Sequence, residues 1–361
     1  MDKRKRGFRG SIPLLIAEIC ILLIAIGVMY VVVTMTSEVN HKDIDEGKIR
    51  INEEIVNKKT TEIKQKETKK EEKKKGYRNI ALFGVDARDG ELGRGTRSDT
   101  IMIASINQDT QEIKLISVFR DTYLNLSNDS YNKCNTAYAQ GGPEQAINML
   151  NMNLDLDITD YVTIGFSGLI DAVDALGGVE IEITDSEISH LNNYQLCMAE
   201  ELGVDYIPVE QSGRQLLNGM QATAYCRIRY TKGDDFRRAE RQRDVIRAMM
   251  DKAGGASVST LTDMVNAVLP QVETSLDVNE ILSVLGSVAG YNMVESDGFP
   301  FEGGRAGANV GSKGSCVIPI DLEENVRQLH HVLYPEERYT PSAQVELIDE
   351  EIKEQTGEYL Q

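Results

Sequence analysis

Carboxylates set among arginines mark the most chemically pointed stretch of this chain, NIALFGVDARDGELGRGTRSDTIMIASINQDTQEIKLISVFRD, residues Asn79–Asp121. Asp86, Arg88, Arg97, Asp99, Arg120 and Asp121 all fall at or near the ends of short apolar runs. Such a grouping makes a poor core and a good phosphate–metal site. Mg2+ takes one or two carboxylates and completes its shell with water and phosphate oxygens. The planar fork of Arg pairs with phosphate bidentately. An exposed ion-pair network on loops is the competing account of the same residues.

A second charged window, LLNGMQATAYCRIRYTKGDDFRRAERQRDVIRAMMDKA, adds Arg227, Arg229, Arg238, Arg241 and Gln242. Arginines at the start of a helix run against its macrodipole, which is tolerable when an anion sits between them. The alternative is pairing with Asp234, Asp235, Glu240 and Asp244, and for Arg243 and Arg247 that pairing is the better account. The 361-residue chain carries a net charge of -18, which argues against a nucleic-acid binder. Residues 1–75 hold 17 Lys/Arg and 12 Asp/Glu, so the acidity lies beyond them, where 22 basic residues face 45 acidic ones. Thirteen of those 22 fall in the windows 88–120 and 227–247, as expected if an acidic domain concentrates its arginines to build an anion site.

The elements that must position these residues follow from periodicity. NIALFGV, DTIMIASI and EIKLISVF read as buried strands bounded by Gly, Asp and Arg. If the first two are neighbours, Asp86 and Asp99 face each other at one edge of a sheet. Pro143 suits the start of a helix to about Asn151, YVTIGF is a strand, SGLIDAVDALGG is an amphipathic helix stopped by Gly177 and Gly178, and VEIEIT alternates as a strand. Helices alternating with strands predict a layered α/β domain. The apolar stripe of DYVTIGFSGLIDAVDAL reads as plain core rather than a lipid-lining face. Residues 185–215 carry no firm period and read as an insertion or lid. Asn218 suits the cap of a short helix leading into Tyr225–Tyr230, which reads as a strand with Arg227 and Arg229 on one face, and Phe236–Lys252 reads as a helix. His330 and His331 sit on a late helix that opens with Asp321 and Glu324 in capping-box positions, and read as structural. FPFEGGRAGANVGSKGS lacks the spacing of a P-loop and reads as a loop.

Residues 1–11 are basic, with Lys3, Arg4, Lys5, Arg6 and Arg9. The apolar run 12–35 is long enough to span about 30 Å of bilayer core as a helix. The basic cluster before it predicts a single-pass membrane protein with a cytoplasmic N-terminus and an external domain. No small-x-small cleavage pattern follows, so an uncleaved anchor is favoured over a signal peptide. Residues 36–76 read as a charged stalk, 77–335 as the external folded domain and 336–361 as an acidic, mobile tail. Five cysteines with no C-x-x-C and four histidines give no support to zinc, and isolated buried thiols are expected.

The motifs NIALFGVDAR, RSDTIMIASI, KLISVFRDTY, NKCNTAYAQGG, DALGGVEIEI, LNGMQATAYCRIR and DDFRRAERQ, in this order, resemble the LytR-CpsA-Psr family of Gram-positive envelope enzymes. The resemblance runs from about Asn79 to Leu333. It implies a three-layer α/β/α sandwich around a central mixed sheet, with a hydrophobic pocket for a lipid tail. It further implies a phosphotransferase that moves a glycopolymer, such as teichoic acid or capsule, from a polyprenyl-diphosphate membrane lipid to a peptidoglycan hydroxyl. By matching position, Asp86 and Asp99 would hold Mg2+ (or Mn2+). Arg97, Arg120, Arg227, Arg229 and Arg238 would grip the diphosphate with Gln242 nearby, and Arg88 is a further candidate. The chain departs from the pattern at Phe119, where many members have Pro, and at Arg237, where Gly is common, which leaves Arg237 and Arg238 open as the phosphate ligand. Residues 185–215 match poorly. The acceptor's general base stays open among Asp86, Asp99 and Asp121. Two other functions fit the same residues: a polyprenyl-diphosphate hydrolase, and a non-enzymatic cell-wall binder or regulator.

Overall fold

The structure, a computed structural model, describes residues 40–42, 44–59, 76–86, 92–229, 234–277, 280–281 and 290–360. The apolar run 12–35 and Arg88 lie outside these residues. Among the described residues no helix is long and apolar enough to cross a membrane.

The main sheet has seven strands: Asn40–His41 (β1), Tyr77–Val85 (β2), Ser98–Asn107 (β3), Glu112–Val118 (β4), Asp160–Ile164 (β7), Val272–Thr274 (β10) and Asn292–Phe299 (β11). Their order is β1-β10-β7-β2-β3-β4-β11. The sheet is mixed: β2 runs antiparallel to β3 and parallel to β7, and β4 runs antiparallel to β3 and parallel to β11. Three ribbons stand beside it, Tyr123–Asn125 with Tyr131–Lys133 (β5, β6), Val179–Ile183 with Gly213–Leu217 (β8, β9), and Arg305–Asn309 with Ser315–Pro319 (β12, β13). Among the described residues the longer helices are Asn135–Leu154 (α1), Phe166–Ala175 (α2), Asp185–Leu202 (α3), Gly219–Arg227 (α4), Asp234–Gly254 (α5), Val258–Val268 (α6), Leu322–Leu333 (α7) and Ala343–Thr356 (α8).

Side chains alternate across a strand, and the central strands bury both faces. Phe83, Ile101, Ile103 and Ile116 point to one side, where they pack with Ile147 and Leu150 of α1, Leu329 of α7 and Ile348 of α8. Met102, Ala104 and Leu115 point to the other, toward Ile246 and Met250 of α5. Helices on both faces of a mixed sheet are the expected sandwich.

Five expectations change. The C-terminal segment is no mobile tail: α8 is capped by Ser342, and Val345, Ile348 and Ile352 are buried against the core. The described part of the stalk is docked, with β1 on β10, Arg50 Nη1 donating to Ser127 O (3.2 Å) and Asn52 donating to Met152 O (3.2 Å) and to Asp155. Residues 185–202 form α3 rather than an irregular lid, because Thr184 and Glu187 close a capping box at its start. The helix capped by Asn218 and Gln221, α4, is present but runs on through Arg227, so Tyr225–Arg227 are helical and not strand. The Gly-rich segment after Pro300 includes the hairpin β12–β13. Cys134, Cys226 and Cys316 are buried free thiols, whereas Cys197 is exposed.

His330 is buried, stacks on Tyr339 at 3.6 Å and places Nε2 2.9 Å from the Leu154 carbonyl, which fits a structural role.

Candidate functional site

Asp99 owes its position to an irregularity in the sheet. In the β2–β3 ladder Gly84 pairs with Thr100 and Val85 with Ser98, so Asp99 is the extra residue of a bulge. Bulges re-aim a side chain and break the ladder locally. A Cβ at Gly84 would meet the Thr100 side chain at 2.9 Å, so the close approach of the two strands here requires glycine.

Three arginines converge on the Asp99 carboxylate. Arg120, just beyond β4, donates from Nη1 to Oδ1 at 2.9 Å. Arg229, beyond α4, and Arg238, in the second turn of α5, donate from Nη2 to Oδ2 at 3.1 and 3.0 Å. Burial pushes this carboxyl up, but Arg238, Arg120 and Arg229 together hold it below the ordinary carboxylate range. Arg238 is 4% exposed, and burial together with the neighbouring Arg229 and Arg120 lowers its pKa despite Asp99. Its Nε and Nη1, and Nε of Arg120, are buried with no hydrogen-bond partner. Buried donors of this kind are costly, about 1–3 kcal/mol each and more when charged. Asp99 therefore accepts from three guanidinium groups, two of which still hold buried N–H donors without a hydrogen-bond partner, an arrangement that suits an anion.

Behind the cluster lies a cavity of about 410 Å³ between the sheet and α2, α5 and α6. Apart from Asp99, Arg227, Arg238 and Gln242 at its polar end, the lining is mostly apolar. One face of α5 carries the transition: Asp235, Arg238 and Gln242 give way to Val245, Ile246, Met249 and Ala253 at helical spacing. Val162, Ile164, Phe166 and Leu169 also line this cavity, so the stripe read as plain core opens onto an apolar chamber instead.

The remaining expected residues are distributed unevenly. Gln242 is buried, with Nε2 3.5 Å from Cys226 O, and faces both the cluster and the cavity. Arg227 and Arg229 do not share a strand face: Arg227 ends α4 and lies over the Phe166 ring (4.3 Å) and Tyr194 ring (5.6 Å). Arg97 is exposed in the loop before β3. Of the two open choices on α5, Arg238 reaches Asp99, while Arg237 pairs with Glu240 at 2.8 Å and Asp244 at 3.8 Å. Arg241 is 1% exposed and held by Glu187 (2.8 Å) and Ile228 O (3.1 Å), away from the cluster. Arg243 bonds Ser296 and Ser117.

Asp86 is half-buried one residue past β2, at the same sheet edge as Asp99. Among the described residues no three His, Cys, Asp or Glu gather as a metal cage. Two hard carboxylates with phosphate oxygens suit Mg2+ chemically. Because each Asp99 oxygen already accepts from arginine, the residues fit a cation only when a phosphate draws those donors away.

Two further residues belong to the cluster: Asp235, which the sequence offered only as an ion-pair partner of the arginines, and Lys133, which it did not single out. Asp235, in the first turn of α5, lies 3.6 Å from Arg120 Nη2 and 3.7 Å from Arg229 Nε. Lys133 Nζ lies 3.1 Å from Asp121, which is 3.6 Å from Arg120 Nε. The Asp-Asp pair before Phe236 was the available signal for the first, and the lone Lys of YNKC for the second.

The LytR_cpsA_psr family model matches residues 46–315. The chain belongs to that family. Among curated relatives, a protein of Oceanobacillus iheyensis named polyisoprenyl-teichoic acid–peptidoglycan teichoic acid transferase TagU is 32% identical over 235 residues, covering 63% of this chain and 68% of that one. Among solved structures, the Streptococcus agalactiae protein gbs0355 has a TM-score of 0.60 at 24% identity, covering 74% of this chain and 91% of that one. The family protein YwtF (TagT), solved with bound octaprenyl pyrophosphate, has a TM-score of 0.50 at 18% identity, covering 79% and 92%. These structural likenesses show that this member shares their fold.

Proposed function

We propose that this family member transfers a glycopolymer, as its sugar phosphate, from a polyprenyl-diphosphate carrier to a peptidoglycan hydroxyl. One observation carries the reading: buried Arg238, with two unpaired N–H groups, stands where a cluster of three arginines meets an apolar cavity of about 410 Å³. A diphosphate attached to an isoprenoid tail is the ligand that satisfies both halves. The names of curated relatives support the same substrate class.

Arg120, Arg229 and Arg238 would leave Asp99 in part and bind diphosphate oxygens, with Gln242 beside them. Arg227 would guard the cavity mouth, and Arg97 would approach from the loop before β3; Arg88 remains a candidate by its motif alone. Asp86 and Asp99 would hold Mg2+, which supplies charge neutralisation on the phosphate oxygens when bound. The acceptor oxygen attacks the sugar-side phosphorus, the bridging P–O bond breaks, and polyprenyl phosphate leaves with the electron pair. Preorganised donors stabilise the charge that builds up during this step, each worth about 10²–10³ in rate. The basic N-terminus and apolar run 12–35 would hold the domain at the outer membrane surface, beside its lipid substrate.

The test incubates the full chain in detergent micelles with a polyprenyl-diphosphate oligosaccharide, peptidoglycan fragments and Mg2+, and looks for the sugar-phosphate adduct by mass spectrometry. Wild type should form it, and Asp99→Ala and Arg120→Ala should not. Polyprenyl phosphate released without adduct in the presence of acceptor would point to a hydrolase. Lipid bound but unchanged by all three proteins would point to a binding protein.

A further inference from the structure

Two cavities share one wall. Asp99, Thr100, Arg238 and Gln242 line both the large apolar cavity and a small one of about 30 Å³. The small cavity is also lined by Phe119, Arg120, Asp121, Asp235 and Val317, the last from the β12–β13 hairpin. Resting on the function proposed above, this arrangement fixes directions. Phosphoryl transfer places the entering and leaving oxygens roughly in line. The leaving polyprenyl phosphate trails its tail into the apolar cavity, so the entering hydroxyl arrives from the side of the phosphorus away from that cavity. A volume of about 30 Å³ holds roughly two waters. That is room for the tip of a hydroxymethyl group and not for a sugar ring.

The carboxylates on that side differ in what they have left to give. Both oxygens of Asp99 accept from arginines. Asp121 is engaged by Lys133 at 3.1 Å. Asp235 Oδ1 is buried without a hydrogen-bond partner, 3.7 Å from Arg229 Nε. Asp86 lines neither cavity. The wall that carries Asp235 is stiffly built: Phe236 packs edge-on against Phe119 at 4.6 Å, and the Arg305 guanidinium lies over both rings at 3.9 and 4.9 Å. A Cβ at Gly298 would meet the Phe119 ring at 2.3 Å, so this glycine makes room for that wall.

We propose that the small cavity seats the acceptor's hydroxyl group and that Asp235 Oδ1 takes its proton as the new O–P bond forms. The proton ends on Asp235, the electron pair of the broken P–O bond leaves with polyprenyl phosphate, and no further reactant is required. Arg305 is a positioning residue, holding Phe236 and with it the first turn of α5.

Val317→Phe and Asp235→Asn in the full chain test this. Transfer to peptidoglycan fragments is followed by mass spectrometry, and octaprenyl diphosphate affinity is measured separately. Val317→Phe should raise the acceptor KM at least tenfold with octaprenyl diphosphate affinity within threefold of wild type. Asp235→Asn should lower kcat by about 10²–10⁴ at unchanged affinity. An unchanged acceptor KM in the first variant, or more than a tenth of kcat in the second, overturns the proposal. So does a parallel loss of octaprenyl diphosphate affinity in Asp235→Asn, which would make Asp235 an organiser of the arginines. If wild type itself forms no adduct, the transferase reading fails first and takes this one with it.

Discussion

Arg238 and Arg241 stand about one turn apart on α5, both almost out of solvent at 4% and 1% exposure, and they are partnered in opposite ways. Arg241 has a carboxylate of its own, Glu187, and a backbone carbonyl. Arg238 shares Asp99 with two other arginines and leaves two N–H groups unpaired. A buried cation whose needs are met belongs to the architecture. One whose needs are unmet belongs to a ligand. The pair also shows why an Arg-rich motif cannot be read as a list of ligands: neighbours on one side of a helix are separated by the partners they meet, and not by residue type.

Substituting each arginine by the similarly shaped Met should separate them by experiment. Arg241→Met takes from Glu187 its 2.8 Å cationic partner and leaves it the Thr184 cap and Arg237 at 3.8 Å; burial pushes this carboxyl up, and the Thr184 backbone and Arg241 together hold it low. Breaking a buried pair from one side costs about 3–5 kcal/mol. A drop of that size in urea unfolding, with transfer per folded molecule kept within a few-fold, is expected. Loss of transfer in a fully stable variant would instead place Arg241 in the site. Arg238→Met should do the reverse. It removes a buried cation beside two like charges while Asp99 keeps Arg120 and Arg229, so stability should stay level or rise. Transfer should fall by about 10²–10³, the worth of one preorganised donor. A stability loss equal to that of Arg241→Met would erase the distinction.

Much of this was legible in the chain. The strands around Asp86, Asp99 and Arg120 carry their own punctuation, and the order of motifs carried the family. What could not be read was partnership across long separations. That Asp99 meets Arg229 and Arg238, some 130 residues on, depends on the β3 bulge and the landing of α5, which no local period records. Phe166 and Leu169 show the amphipathic spacing of a core helix whether their face meets side chains or an empty chamber. The tail was misread because its acidic composition hid the spacing of Val345, Ile348 and Ile352. Residues 185–202 were misread because α3 is held by its capping box and a few buried side chains, with a weak apolar period.

His330 extends the comparison to a third buried base, one that avoids charge altogether. Burial pushes its pKa down from 6.5 to about 4, against the Leu154 carbonyl and Asp155, which favour the proton. The folded state therefore resists a proton that the unfolded chain accepts. The stabilisation is fully present above pH 6.5 and is lost as the pH falls toward 4, by about 3 kcal/mol in all for a shift of this size. His330→Gln can still donate to Leu154 O but does not titrate. It should lower stability at pH 7 modestly and flatten the slope of unfolding free energy between pH 6.5 and 4.5. An unchanged slope would mean that His330 takes its proton without cost in the folded state. Arg241 would then be the single buried base of these three whose fit is purely architectural.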